Sequence, residues 1–585
     1  MRRSTRARLA AVGGILALTA TACGGSSGGS PQSQASGKSD AGTGAIDFSV
    51  DNEAKGPAPE LKDAKKGGTI KVLDLDDITH LDPARIYVNT YQGVSQMITR
   101  QLNTFRESAG KVTLVGDLAT DSGKTDDGGK TWTWTLRDGV KWADGAPITA
   151  PQIKYGIERA FAPEYTEGPT YLLEWLADNP DFRSVYDGPY KGKELPAIET
   201  PDDKTVILKF AKPHADVPFA AALTTTAPVR KEKDTKEKYD ILPDASGPYM
   251  IGEHIVDKSL KLVKNPNWDP ATDPARYQIV DSYEWEFGDE PLAVNKRLIA
   301  ANGADADAIT LVSNVSPEVL QQVDSTPDLK ARTITDFTQF VYQVNINNTR
   351  ITDVDIRKAI NLAYPKFQDR QIRGGPTAGD FATTNLSPTV PGYQKFDVLG
   401  APPQGDPEAA KKILTDKGKV GMTLVYAFAN TARSQQISVA VKTAYEKAGF
   451  KIVLKPIESK TYYDEIGKLK NPFDFYLGGW GADWPSAATV IPPTLDGRKI
   501  ADGQPNYSHF NDPEVNAEID RISAITDLQE AATEWGKLDK KIMEKFPYVP
   551  FLYDKNFQLY GPNVKGVFMS PVLGQPSLNG LWLEK

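Results

Sequence analysis

Cysteine is nearly absent from this chain. There is one, Cys23, in 585 residues, so no intrachain disulfide can form and the fold must rest on packing. Histidine is scarce too, at four residues (His80, His214, His254 and His509). No Cys/His cluster has metal-ligand spacing, so no metal site is expected. Charge of one sign is not in large excess: 68 Lys and Arg stand against 76 Asp and Glu, a net −8. That balance is a poor match for nucleic acid or anionic lipid through bulk charge. Past the first residues, no apolar run approaches the about eighteen residues of a membrane-spanning helix. Also missing are a phosphate-binding GxxxxGK[ST], a nucleophile elbow, and a glycine-rich turn in the strand–helix setting of a dinucleotide site. No enzyme activity and no cofactor are expected. What remains, 40% hydrophobic and 25% charged residues, is an ordinary globular balance, and the length suits about three to five structural units.

The beginning of the chain is different. Residues 1–8 (MRRSTRAR) carry four arginines and no acid, and residues 9–22 (LAAVGGILALTATA) are apolar and small. A basic start before a short apolar core is a secretory signal, too short to span a bilayer. Ala20-Thr21-Ala22 before Cys23 resembles the bacterial lipoprotein signal, although an aliphatic residue is usual where Ala20 stands. The resemblance implies cleavage after residue 22 and lipidation of Cys23, which would anchor the protein to the outer face of the cell membrane. Residues 24–31 (GGSSGGSP) open a Gly/Ser-rich stretch with too little apolar surface to fold. Residues 23–66 are therefore expected to be a flexible tether, with a reach of roughly 35 Å.

From Lys66 onward, strands and helices alternate. Gly68–Leu73 and Thr131–Leu136 read as strands, the second with Trp132 and Trp134 on one face. Thr149 with Gln152 reads as a capping box, and Asp406-Pro407 and Asp512-Pro513 as helix starts. Residues 422–456 read as a βαβ unit: a strand over 422–428, a helix over 433–448 stopped by Gly449, and a strand over 450–454. Phe473–Leu477 reads as a buried strand ending in a glycine-rich turn, Gly478-Gly479-Trp480-Gly481. Two helices are expected at about 513–525 and 527–545.

Residues 132–161, WTWTLRDGVKWADGAPITAPQIKYGIERAF, resemble the defining segment of the extracellular solute-binding protein family 5. That family usually reads FxLRxGVKWSDGxPxTAxDVxYS here. Leu81-Asp82-Pro83, Ser246-Gly247-Pro248-Tyr249, Asn265-Pro266-Asn267-Trp268, Asn345–Ala363, Trp480–Trp484 and Asn506–Pro513 resemble further family segments in order. Gln152 stands where the family has an acid, and Tyr364-Pro365-Lys366 replaces another acidic end. The resemblance covers about residues 67–585. It implies an α/β, two-lobed periplasmic-binding-protein-like fold (type II) with an accessory domain and a ligand cleft between the lobes. The implied domains are 67–102, 230–339 and 556–585 for the first lobe, 103–229 for the accessory domain and 340–555 for the second lobe. Crossings between lobes are expected near Phe340 and Asn556.

The family resemblance implies the binding component of an ABC importer. Its partners would be a peptide or other small solute, a permease with its ATPase subunits, and the membrane through the lipid. A peptide is a zwitterion, and burying its ammonium is costly unless an opposite charge meets it. In oligopeptide-binding relatives an aspartate of the tryptophan-glycine loop does this; here it is Asp483, after Trp480-Gly481-Ala482. Pro485-Ser486 departs from the usual acid-proline step. Some relatives hold the ligand carboxylate with an arginine where this chain has Leu477, so Arg433 is the substitute candidate. Asn430, Tyr87 and Tyr507 are candidate walls. Residue type alone equally allows surface or core roles for Arg433, Asn430, Tyr87 and Tyr507. Ligands other than nutrient peptides also remain open: an oligosaccharide, an opine, a metal chelate or a signalling peptide.

Overall fold

The structure, a computed structural model, describes residues 46–584 except 79 and 166. The signal segment, Cys23 and the first part of the expected tether lie outside the described residues.

Two large sheets organise the fold. The first has five strands in the order Ala308–Ile309, Thr69–Asp74, Ser282–Phe287, Ser259–Lys264 and Tyr249–Ile255. Thr69–Asp74 pairs parallel with both neighbours, and the last two pairings are antiparallel. The C-terminal hairpin of Val564–Lys565 and Trp582–Leu583 adds Leu578, Leu581 and Leu583 to the same core as Ile70, Val72 and Trp285.

The second sheet has six strands in the order Gly379–Phe381, Tyr548–Leu559, Thr333–Ile346, Phe475–Trp480, Thr423–Ala429 and Lys451–Ile457. Its far edge is the βαβ unit expected from the sequence. Thr423–Ala429 and Lys451–Ile457 run parallel, joined by the helix Ala432–Lys447, which buries Ile437, Val441 and Tyr445. Thr431 Oγ1 accepts from Ser434 N and caps that helix, so its first turn begins at a defined point beside the sheet. Asp406 and Asp512 likewise accept main-chain N–H groups at their helix starts. The capping box at Thr149 is present, and Gln152 Oε1 accepts from both Thr149 N and the Trp142 indole. An amide serves this position as well as the family's acid because both demands are for an acceptor.

Two long strands join the lobes. Thr333–Ile346 and Tyr548–Leu559 pair antiparallel at both ends, but the ladder breaks between Phe337/Lys555 and Val341/Tyr553. Below the break, Leu559 packs with Leu73, Val294 and Leu298 of the first lobe. Above it, the partner on the other side is Phe475–Trp480 of the second lobe.

Two three-stranded sheets make up the remaining layer. Thr131–Thr135, Thr205–Lys209 and Ile198–Glu199 form one, and Trp132 and Trp134 are buried with ring centroids 6.3 Å apart. The other consists of Asn103–Ser108, Lys111–Gly116 and Asp47–Asp51. This last strand corrects the expectation of a tether through residue 66. It pairs parallel with Lys111–Gly116, and Phe48 is buried with its ring 5.5 Å from Phe219. Ala54 and Ala58 are buried as well, and the carbonyls of Ala54 and Pro59 accept from Arg137 and Tyr277. The Gly/Ser bias fades after about Ala45, and Phe48 then finds apolar partners far along the chain that no local pattern announces.

A buried charge network ties the layers together. Arg100 and Arg276 both donate to the Asp117 carboxylate, and Arg276 also to Asp273. Both arginines beside Asp273 hold its carboxyl down at about 2 despite complete burial.

Phe48→Ala is expected to destabilise the protein by about 3 kcal/mol, the usual cost of emptying a buried aromatic site. Urea unfolding measures it; an unchanged midpoint would return residues 46–66 to a free tether.

Candidate functional site: the cleft between the lobes

The break in the crossing strands opens onto a cavity of about 640 Å³. Thr338, Gln339, Phe340, Asp554 and Asn556 form its floor, Tyr87 and Val312 come from the first lobe, and Trp480 to Asp483 from the second. A second chamber of about 380 Å³ shares Val312, Tyr342 and Asp554 with the first and is lined further on by Arg373, Arg433 and Lys555. The two chambers therefore adjoin, with Asp483 lining the first and Arg373, Arg433 and Lys555 the second.

The strand expected to stop at Leu477 continues through Gly478 and Gly479 to Trp480. The glycines serve a close approach. A Cβ on Gly479 would collide with the Phe340 ring, and one on Gly478 would lie 2.6 Å from Asn345 Nδ2. Glycine lets Phe340 lie over the strand at the cavity wall. Beyond it, the Trp480 indole donates to Thr489 O at 2.7 Å and Asp483 N to Thr489 Oγ1 at 3.1 Å, fixing the loop.

Asp483 meets two hydroxyls from distant parts of the chain. Tyr87 donates to one carboxylate oxygen at 2.6 Å and Tyr171 to the other. Burial raises its pKa, and the two tyrosines counteract this by hydrogen-bonding the charged form. Trp484, the next residue, donates to the half-buried Asp216 at 2.8 Å, and its ring lies 4.7 Å from Tyr171, edge to face. The loop is thus held against the small-sheet layer by an aromatic contact and a carboxylate.

Tyr87, Trp480 and Asp483, separated by up to 396 positions, are brought together. Arg433 lines the second chamber near the start of its helix. Asn430 and Tyr507 line neither of the two chambers. Asn430 is exposed and turned to its own helix start, its Oδ1 accepting from Gln435 at 2.7 Å. The Tyr507 ring packs on Tyr463 at 5.9 Å, beside Gly478, and does not line either chamber.

Sequence reading passed over Tyr171, Phe340, Tyr342 and Asp554. One signal was available: Asp554 is the only acid in the strand Tyr548–Leu559, YVPFLYDKNFQL. Thr338 Oγ1 donates to it at 2.9 Å, and burial pushes its carboxyl up to about 6. Among the described residues, no group of three or more His, Cys, Asp or Glu could hold a metal ion. No described helix is long and apolar enough to cross a membrane.

Comparison with known proteins gives this geometry its setting. Residues 113–502 match the family described as "Bacterial extracellular solute-binding proteins, family 5 Middle". The chain is 25% identical over 513 residues to the probable D,D-dipeptide-binding periplasmic protein DdpA of Escherichia coli K12, covering 85% of this chain and 90% of that protein. It is 24% identical over 457 residues to the probable deoxycholate-binding periplasmic protein YgiS of the same organism, covering 75% and 80%. Among solved structures, the clavulanic acid biosynthesis oligopeptide binding protein 2 superposes with a TM-score of 0.81 at 28% identity, covering 91% of this chain and all of that one. The two lobes, the crossing strands and the cleft are those of the type II periplasmic binding fold. The chain belongs to the bacterial extracellular solute-binding proteins, family 5: it is a substrate-binding protein and not an enzyme.

Proposed function

We propose that this protein is the extracytoplasmic binding component of an ABC importer that captures peptides in the interlobe cleft and hands them to the permease on lobe closure. The observation that carries the reading is the charge layout of the cleft. A desolvated carboxylate, Asp483, stands at one end, and a guanidinium, Arg433, lines the other chamber. A zwitterionic peptide supplies the complementary pair, its ammonium at Asp483 and its carboxylate at Arg433. Each charge leaving water is then met by another, which is the condition for burying it. Peptides are also what the names of DdpA and of the clavulanic acid protein specify.

Closure would work through the crossing strands. Hinges are a few residues that absorb backbone rotation, and the ladder break at 338–340 opposite Asp554 is where the fewest main-chain bonds resist it. In this reading Tyr87 and Tyr171 are the groups that Asp483 engages across the cleft, and Trp480 forms its wall.

A second reading, a non-peptide solute, has in its favour the deoxycholate named for YgiS. A single-charged anion of that kind would pair with Arg433 and leave Asp483 facing an apolar body. The peptide reading satisfies both ends.

At the N-terminus, Cys23 after the secretion signal is the proposed site of lipidation, holding the protein beside its permease. Stable anchoring needs more than one acyl chain.

Two experiments test these assignments. In a thermal-shift screen of tri- to pentapeptides, stabilising peptides are expected, and calorimetry with the strongest should weaken about 10- to 100-fold in Asp483→Asn, the loss of a charge-assisted hydrogen bond. X-ray scattering should give a smaller radius of gyration with peptide bound. Wild-type affinity in Asp483→Asn would remove the ammonium site, and no binding by any peptide would remove the reading. Separately, metabolic labelling with an alkyne fatty acid should mark the wild-type protein in cell membranes and leave Cys23→Ala unlabelled in the medium. Equal labelling of both would exclude Cys23 as the anchor.

A further inference from the structure

The cleft contains a second carboxylate that the peptide's termini do not use. Asp554 stands at the ladder break and lines both chambers. Its side-chain hydrogen-bond donor is Thr338 Oγ1, at 2.9 Å, and the Lys555 main-chain N–H adds to it. The cations around it are committed elsewhere. Arg373 donates to Asp369 at 2.7 Å and lies over the rings of Tyr342 and Phe551 at 4.8 and 5.1 Å. Lys555 pairs with Asp380 at 2.9 Å and lies over Phe337 at 4.3 Å. Among the described residues no lysine or arginine forms an ion pair with Asp554.

A carboxylate taken out of water is normally paired, or it takes up a proton. Burial raises Asp554 to about 6 against the opposing pull of Thr338, the Arg373 charge and the Lys555 main-chain N–H, so at neutral pH most molecules carry the charge without a direct ion pair. The walls beside it are aromatic. Phe340 and Tyr342 lie edge to face with centroids 4.9 Å apart, and both line the first chamber along with Asp554. An unpaired carboxylate next to aromatic faces suits an ammonium or guanidinium, which gains from the charge and from the rings together.

We propose that Asp554, with Phe340 and Tyr342, is a subsite for a cationic side chain of the bound solute, so that the preferred ligands are basic peptides. The proposal rests on the peptide reading and deepens it: Asp483 takes the terminal ammonium, Asp554 a lysine- or arginine-like side chain. Arg433 and Arg373, in the second chamber, repel a cation there, so the basic side chain lies on the first-chamber side of Asp554.

The test compares trialanine derivatives carrying lysine at position 1, 2 or 3 with norleucine at the same position, which keeps length and removes charge. Calorimetry at pH 7.5 is expected to give at least a tenfold preference of wild type for lysine at one position. In Asp554→Asn, which keeps the shape and an acceptor for Thr338, the lysine-to-norleucine ratio should fall to within about twofold of one. Both peptides are read on the same variant, so any general loss cancels. A second measurement needs no variant: the wild-type preference should decline from pH 7.5 to pH 5 as Asp554 takes up its proton. The other groups facing it are Thr338, Tyr342, Arg373, Arg433 and Lys555; Tyr342 and Arg373 are both shifted upward, away from that range. Asp483 acts on both peptides alike through their common terminus. Equal binding of lysine and norleucine peptides, or a preference that survives Asp554→Asn, overturns the subsite and leaves the peptide reading standing. Binding of neither series, with no hit in the wider peptide screen, overturns both.

Discussion

Two neighbouring strands carry the chain between lobes, and they stop pairing in the middle. Where a ladder is intact, backbone groups satisfy one another and side chains merely alternate across the sheet. Where it lapses, side chains must take over. Thr338 Oγ1 accepts from Phe340 N and donates to Asp554, Gln339 donates to Pro571 O, and Asn556 donates to Gly574 O. Those residues are the floor of the cleft. One interruption in the ladder therefore supplies the polar floor of the cleft.

The two acids of the cleft differ through their surroundings. Both are raised by burial. Asp483 receives hydroxyls from Tyr87 and Tyr171, which stabilise its charge and connect the second lobe to segments around 87 and 171. Asp554 has one threonine hydroxyl, a main-chain N–H, the Arg373 charge without a direct ion pair, and aromatic neighbours. The first is a partly satisfied acid at a contact between lobes; the second keeps most of its capacity for a ligand. Identical side chains thus carry different demands, set by the donors that long-range folding brings to each.

The segment that identifies the family most clearly lies outside the cleft. Arg137 donates to the carbonyls of Ala54, Gly116 and Asp117, and Asp144 accepts from Arg230 and Lys233. Gly139 and Gly145 adopt positive φ, at 78° and 87°, in the turns between. These residues hold the small-sheet layer together, and none of residues 132–161 lines either cleft chamber. Tight turns, caps and a fixed acceptor at Gln152 demand particular residues at fixed spacing, which is why this segment reads so plainly.

The same contrast divides the whole chain. Local physics determined the helix starts at Asp406 and Asp512, the βαβ unit and the tryptophan strand, since caps, periodicity and turns act over a few residues. A carboxylate in the Trp480–Trp484 loop was legible as a binding candidate for the same reason. Tertiary structure alone decided that Phe48 is core and not tether, because its partners Phe105 and Phe219 are distant in sequence. It also decided that Gly478 and Gly479 extend a strand beneath Phe340 and that Tyr171 reaches Asp483. The unpaired charge of Asp554 belongs to that second group. Whether a half-buried acid gains a direct ion pair depends on which cations fold against it, and Arg373 and Lys555 pair directly with Asp369 and Asp380.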